Sequence, residues 1–209
     1  MSVLGYVIMG FKHKFDLEKQ VTFYMSYHSD PTNKTLHLLC IWPILLSAIF
    51  LLCTTAPFVD VAQALHPYVV ANAALVGVLI YVLWYIVLDP YAGTLAAALI
   101  VSMYVWSNVV IADAVAATGE SPWRLALGIH VTAWIIQFIG HGVFEKRAPA
   151  LLDAWDQAII TAPLFVLLEV LWVFGYRREM QARIEAQVAV NVATFKRERA
   201  QRLKASKTA

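Results

Sequence analysis

The chain has 209 residues, of which 60% are apolar and only 14% charged, with a formal net charge of +2. A typical soluble domain carries about 45–50% apolar and about 25% charged residues, so this composition excludes a soluble globular domain. The mean hydropathy of +0.65 points the same way, and nothing in the charge balance calls for a nucleic-acid partner.

The first residues, Met1 to Lys19, lack the continuous apolar stretch and small-residue cleavage site of a secretory signal, so the chain enters the membrane through its own first long apolar run. An amphipathic helix is predicted over Phe15 to Tyr27, with Leu17, Val21, Tyr24 and His28 near one face. The turn formers Ser29-Asp30-Pro31-Thr32-Asn33 stop it and start a new helix near Thr32 or Asn33. Leu36 to Ala56 is then free of charge and long enough for the roughly 20 residues a bilayer crossing needs. Cys40 and Cys53 fall in this one helix, too far apart for a bridge. The runs His66 to Leu88 and Tyr91 to Ala112 follow, split by Asp89-Pro90 into a tight helical hairpin. After a loop at Ala117 to Pro122 comes Leu125 to Phe144, then a loop at Glu145 to Asp156, then a fifth apolar run, Ala158 to Tyr176, interrupted by Pro163 and Glu169. From Arg177 to Ala209 the chain carries nine Lys or Arg against three Glu, which reads as a charged, exposed helix on or leaving the membrane surface.

Basic residues in short flanks set orientation. Lys12, Lys14, Lys19 and Lys34 precede the first span, and Lys146 and Arg147 follow the fourth, whereas Pro57 to Leu65 and Thr118 to Pro122 have none. The expected architecture is therefore an all-α, polytopic membrane bundle of about four transmembrane helices. The fifth apolar segment is re-entrant or interfacial, because a full crossing would carry the basic tail to the wrong side. Residues 1–35 form a cytoplasmic amphipathic segment, 36–176 the bundle and 177–209 a basic cytoplasmic tail. The host membrane is the endoplasmic reticulum in a eukaryote or the inner membrane in a bacterium.

Within this topology His28 and His37 flank the turn before the first span, and His141 lies near the end of the fourth with Glu145 four residues on. On an α-helix, i and i+4 share a face about 6 Å apart, which lets an imidazole and a carboxylate hold one ion. All four residues come to the same membrane surface. Two or three His plus a carboxylate, with open positions, is the ligand set of non-haem Fe(II) oxygenases, and Zn(II) accepts it too. The competing reading makes the histidines headgroup-region residues and pairs Glu145 with Lys146 or Arg147. His130 shares a face with Trp134 and His141, but eleven residues separate it from His141, about 16 Å along a helix. It joins the others only if the helix bends, with Gly140 as the one obvious place. Asp113 and Glu169 are interhelical hydrogen-bonding groups or proton-handling ones. Paired histidine boxes of the two-metal membrane hydroxylases, H-E-x-x-H, G-x-S-x-G and Gly-rich phosphate loops do not occur.

Two stretches carry a family resemblance: Phe23-Tyr24-x-x-Tyr27-His28-x-x-Pro31-x-Asn33-x-x-x-His37, and Trp134-x-x-Gln137-Phe138-x-Gly140-His141-Gly142-x-Phe144-Glu145-Lys146-Arg147-x-Pro149-Ala150-Leu151. With Ala162-Pro163 and Glu169, they resemble the iron-dependent 2-hydroxy-fatty-acid dioxygenases over roughly residues 20 to 178. Those are small endoplasmic-reticulum membrane proteins, with bacterial relatives, of fatty-acid α-oxidation and phytosphingosine breakdown. The resemblance implies Fe(II), O₂ and a long-chain 2-hydroxy fatty acid drawn from membrane lipid as cofactor, co-substrate and substrate. His28, His37 and His141 would be the catalytic metal ligands, with Glu145 and, less firmly, His130. Tyr24, Tyr27, Asn33, Gln137 and Glu169 would orient imidazoles or hold the substrate. The alternatives are a membrane scaffold or transporter with structural histidines, and a zinc-dependent membrane hydrolase.

Overall fold

A computed structural model describes residues 14–58, 66, 68–148 and 157–208. Residues 59–65 of the loop expected at Pro57 to Leu65, 149–156 of the loop expected at Glu145 to Asp156, and Met1 to His13 lie outside the described residues. The described chain is helical and contains no strand. Helix α1 (Leu17–Ser26) starts on Asp16, whose carboxylate accepts from the Lys19 amide, and buries Leu17, Val21 and Tyr24. Helix α2 (Pro31–Cys53) begins with Pro at its first position and with Asp30 accepting from the Thr32 and Asn33 amides, a preorganised start.

Helix α3 (Ala73–Leu88) spans 16 residues, about 24 Å at the helical rise against a hydrocarbon core of about 30 Å. The apolar run that starts at His66 promised a longer helix. Asn72 shortens it by capping the Ala74 and Leu75 amides. Helix α4 (Pro90–Thr118) follows without a loop. Buried Asp89 ends α3 and caps α4, accepting from the Tyr91 and Ala92 amides, from the Tyr176 hydroxyl and from Arg177 at 3.2 Å. Gly93 faces the Tyr85 carbonyl so closely that any Cβ would collide with it; hence the hairpin is this tight.

Helix α5 (Trp123–Ile139) continues as a π-helical segment, Gly140–Glu145. With α2 and α4 it is long and apolar enough to cross a membrane. Leu83 and Val87 on α3 and Leu125 and Ile135 on α5 are among the many large apolar side chains left exposed. Such surface is costly in water and suited to lipid: the chain is a polytopic helical membrane protein.

A second π-turn, Gln157–Thr161, leads into α6 (Ala162–Val173), which is buried on all sides from Ala162 to Leu168 and so belongs inside the bundle. Helix α7 (Arg178–Thr208) is bent by 116° from the segment before it. Pro163 does not produce this reversal. It sits in the first turn of α6, where its missing N–H costs nothing. The chain turns instead at Gly175 and Arg177, both left-handed at φ 85° and 46°. The tail is not fully exposed either. Met180 and Ile184 are buried, Arg183 pairs with Glu18 at 2.8 Å, and Asn191 donates to the Ser26 hydroxyl at 2.9 Å.

Candidate metal centre

Among the described residues, three histidines meet where the α1–α2 turn abuts the end of α5. His28, His37 and His141 are each about 95% buried, and one ligand atom from each lies within 4.8 Å of the others. Helix geometry aims the first two. The His28 Nδ1–H donates to the Tyr24 carbonyl at 2.6 Å, and the His37 Nδ1–H donates to the Asn33 carbonyl at 2.9 Å. A carbonyl can only accept, so Nδ1 carries the proton in both rings and Nε2 keeps its lone pair. Tyr24 also stacks on His28, ring centres 4.1 Å apart. Burial first, then the proximity of His37, hold His28 well below the usual histidine range, against the opposing pull of the Tyr24 carbonyl.

His141 differs, because its Nδ1 is buried with no hydrogen-bond partner. Such an orphan costs about 1–3 kcal/mol, which a cation held at that nitrogen would relieve. Nitrogens bound at about 2.1 Å to one ion stand about 3.0–3.4 Å apart at octahedral cis or tetrahedral angles, so the widest pair of the trio closes by roughly 1.5 Å in holding one. The donor set fits a divalent transition metal with positions left open.

Glu145 stands outside this group. Its carboxylate accepts from the Ser29 amide and hydroxyl, the Asp30 amide and the Asn33 Nδ2, fastening the end of α5 to the turn between His28 and His37. The expectation of a shared ion rests on the i, i+4 spacing of His141 and Glu145. The segment is π-helical, with the Lys146 amide bonding the His141 carbonyl, and what separates the pair is that both carboxylate oxygens are taken by donors on the turn. Gly140 opens the segment against Asn33, whose Oδ1 a Cβ would strike. Gln137 ties the same helix to α2 by donating to the Leu36 carbonyl at 3.1 Å.

His130 is also separate from the trio. The Trp134 indole donates to its Nε2 at 3.1 Å, and its Nδ1–H donates to the Ser47 hydroxyl at 3.0 Å. It does share a wall with the other three: a cavity of about 310 Å³ lined by Tyr24, Gln137 and mostly apolar side chains runs from the trio to His130. Tyr27 and Glu169 lie off that wall. The Tyr27 ring packs against the Arg147 guanidinium, 3.4 Å from ring centre to Cζ, and Glu169 pairs with Lys34 at 3.6 Å. Sequence reasoning gave no site role to Ser29 or Ser47, and of the two only Ser29 carried a signal, as part of the turn-forming run.

The family described as 2-hydroxy-palmitic acid dioxygenase Mpo1-like matches residues 14–173. The chain is 30% identical over 184 residues to the 2-hydroxy-palmitic acid dioxygenase MPO1 of Saccharomyces cerevisiae, an alignment covering 88% of this chain and 96% of the relative. No solved structure matches it. A family match across most of the chain, a relative aligned nearly end to end and a buried histidine trio at the head of an apolar cavity agree, and the chain belongs to the Mpo1-like family.

Proposed function

We propose that this protein is an Fe(II)- and O₂-dependent dioxygenase that shortens 2-hydroxy fatty acids by one carbon. The observation that carries this reading is the position of His28, His37 and His141 at one end of an apolar cavity in a bilayer-embedded bundle, in a chain whose family and relative are named for 2-hydroxy-palmitic acid. His28, His37 and His141 hold the iron, which when bound supplies the chemistry that brings O₂ to the substrate. The chain's own groups do the rest. Neutral imidazoles oriented by the Tyr24 and Asn33 carbonyls keep lone pairs available at neutral pH. Apolar walls exclude water and take the acyl chain, while the polar end of the substrate stays with the histidines. Phe138 and Ile159 line the cavity and are also about half exposed, marking an entrance from the lipid side. Glu145 acts on the site by holding the turn between two of the ligands.

Detergent-purified protein should contain close to one iron per chain and consume O₂ with 2-hydroxypalmitic acid. Zinc with O₂-independent turnover would make it a hydrolase, and folded metal-free protein inert toward the acid would make it a scaffold. The same reading puts the residues up to 35, the site and the tail from 177 on the cytoplasmic side. In a background lacking Cys40 and Cys53, single cysteines at Ala148 and Thr208 should label alike with an impermeant reagent in sealed vesicles, and one at Thr118 oppositely. Labelling of Thr208 with Thr118 would reject this sidedness.

A further inference from the structure

The cavity has a length and a floor. On α2 its wall runs from His37 past Ile41, Ile44 and Leu45 to Ala48, eleven residues beyond the histidine. On α5 it runs from His141 through Trp134 to His130, again eleven residues. Each count gives a depth of about 16 Å at 1.5 Å per residue, so the two walls end at the same level.

A cross-link closes that level. Ser47, beside Ala48, accepts the His130 Nδ1–H at 3.0 Å and passes its own proton to the Pro43 carbonyl at 2.7 Å. The Trp134 indole fixes the other imidazole nitrogen. His130 therefore forms a neutral, fully bonded strut from α5 to α2, with no nitrogen left for a ligand. Ala48 ends the α2 wall with only a methyl group, so the space there depends on what stands at this position. The exposed lining residue Phe138 lies elsewhere, one turn from His141 at the opposite end of the α5 wall.

We infer that Ala48 and the Ser47–His130 strut form the floor of an acyl channel and set the longest chain the site accepts. This rests on the dioxygenase reading for the nature of the ligand. It adds that chain length is measured from the histidines to Ala48, rather than left free by a tail trailing out beside Phe138. A bulkier residue at 48 raises the floor, and loss of the His130 ring lowers it.

The test compares full-length wild type, Ala48→Leu, Ala48→Phe and His130→Ala on 2-hydroxylauric and 2-hydroxypalmitic acids. One or two methylenes of misfit in an apolar pocket change kcat/KM by roughly tenfold or more. The ratio of the shorter to the longer acid should rise by about that factor in Ala48→Leu, rise further in Ala48→Phe, and fall in His130→Ala. Metal content should match wild type in both Ala48 variants. A second readout needs no turnover: acids brominated at the tail should quench the fluorescence of Trp134, as shown by loss of that quenching in Trp134→Phe. Ala48→Phe should remove the quenching by the longer acid before that by the shorter. Unchanged chain-length ratios in the Ala48 variants with normal turnover overturn the floor and leave the dioxygenase standing. Absence of turnover in every protein, with quenching that still sorts chains by length, overturns the dioxygenase and leaves the floor.

Discussion

His130 and the trio of His28, His37 and His141 line one cavity, yet their nitrogens are used in opposite ways. Both His130 nitrogens are taken by side chains, the Trp134 indole and the Ser47 hydroxyl. In His28 and His37 only Nδ1 is taken, and by a backbone carbonyl of the residue's own helix turn; His141 keeps a buried Nδ1 with no partner at all. A histidine whose nitrogens are all satisfied within the protein is a strut. One held at a single nitrogen, beside others like it, is a ligand waiting for an ion. Burial goes with this distinction, the trio being buried and His130 only partly so, but it is the unpaired lone pair that makes a ligand.

The comparison breaks most severely if the trio proves dispensable. His28→Ala, His37→Ala and His141→Ala should each lower turnover by more than roughly a hundredfold, beyond what loss of a supporting group around a metal costs, and each should purify depleted of metal. Normal metal content and turnover in any one of them would remove that residue from the set.

The next largest effect belongs to Glu145→Ala. It strands the Ser29 and Asp30 amides and the Asn33 Nδ2, and hydrogen bonds to a charged acceptor are worth about 1.5–3 kcal/mol each, so thermal stability and metal affinity should fall together. Glu145→Gln, which keeps an acceptor oxygen, should recover part of both. If Glu145→Ala lost metal with no loss of stability, the carboxylate would be a ligand after all.

Acid sharpens the contrast in a third way. Burial depresses the His28 pKa in the fold, so below the unfolded value of about 6.5 the unfolded chain binds more protons, and stability present above that pH is lost as pH falls. Metal release has the same sign, since imidazole must be neutral to ligate. The thermal midpoint of metal-free protein should drop between pH 7.5 and 5.5, and metal-loaded protein should shed its ion over that range. A midpoint that rose on acidification would contradict the assignment.

The smallest expected effect is Ser47→Ala. It removes one neutral hydrogen bond to His130, about 1 kcal/mol, and should leave metal content at the wild-type level. Metal loss in this variant would mean that strut and trio are one unit.

Much of this was legible in the sequence. The turn Ser29 to Asn33 announced itself through cap and turn residues, which placed His28 and His37 on adjoining helices. Asp89-Pro90 announced the hairpin for the same local reason. What escaped was set by single capping residues and by distant partners. The donors that take the Glu145 carboxylate are on Ser29, Asp30 and Asn33, far away in the chain, so its spacing from His141 suggests a shared ion although the carboxylate belongs to the turn. The shortening of α3 turns on one capping residue, Asn72, inside an apolar run. The docking of α7 depends on pairings such as Arg183 with Glu18, 165 positions apart, for which a basic tail gives no hint.

The Glu145 carboxylate also acts as a tether between the two halves of the ligand set. It gathers the Ser29 and Asp30 amides and the Asn33 Nδ2 at one point, so the segment carrying His141 cannot draw away from the turn between His28 and His37 without releasing all of them together. Three imidazoles from two distant stretches of chain are thereby held as a single rigid unit, and the geometry offered to an ion depends on a side chain that does not touch it.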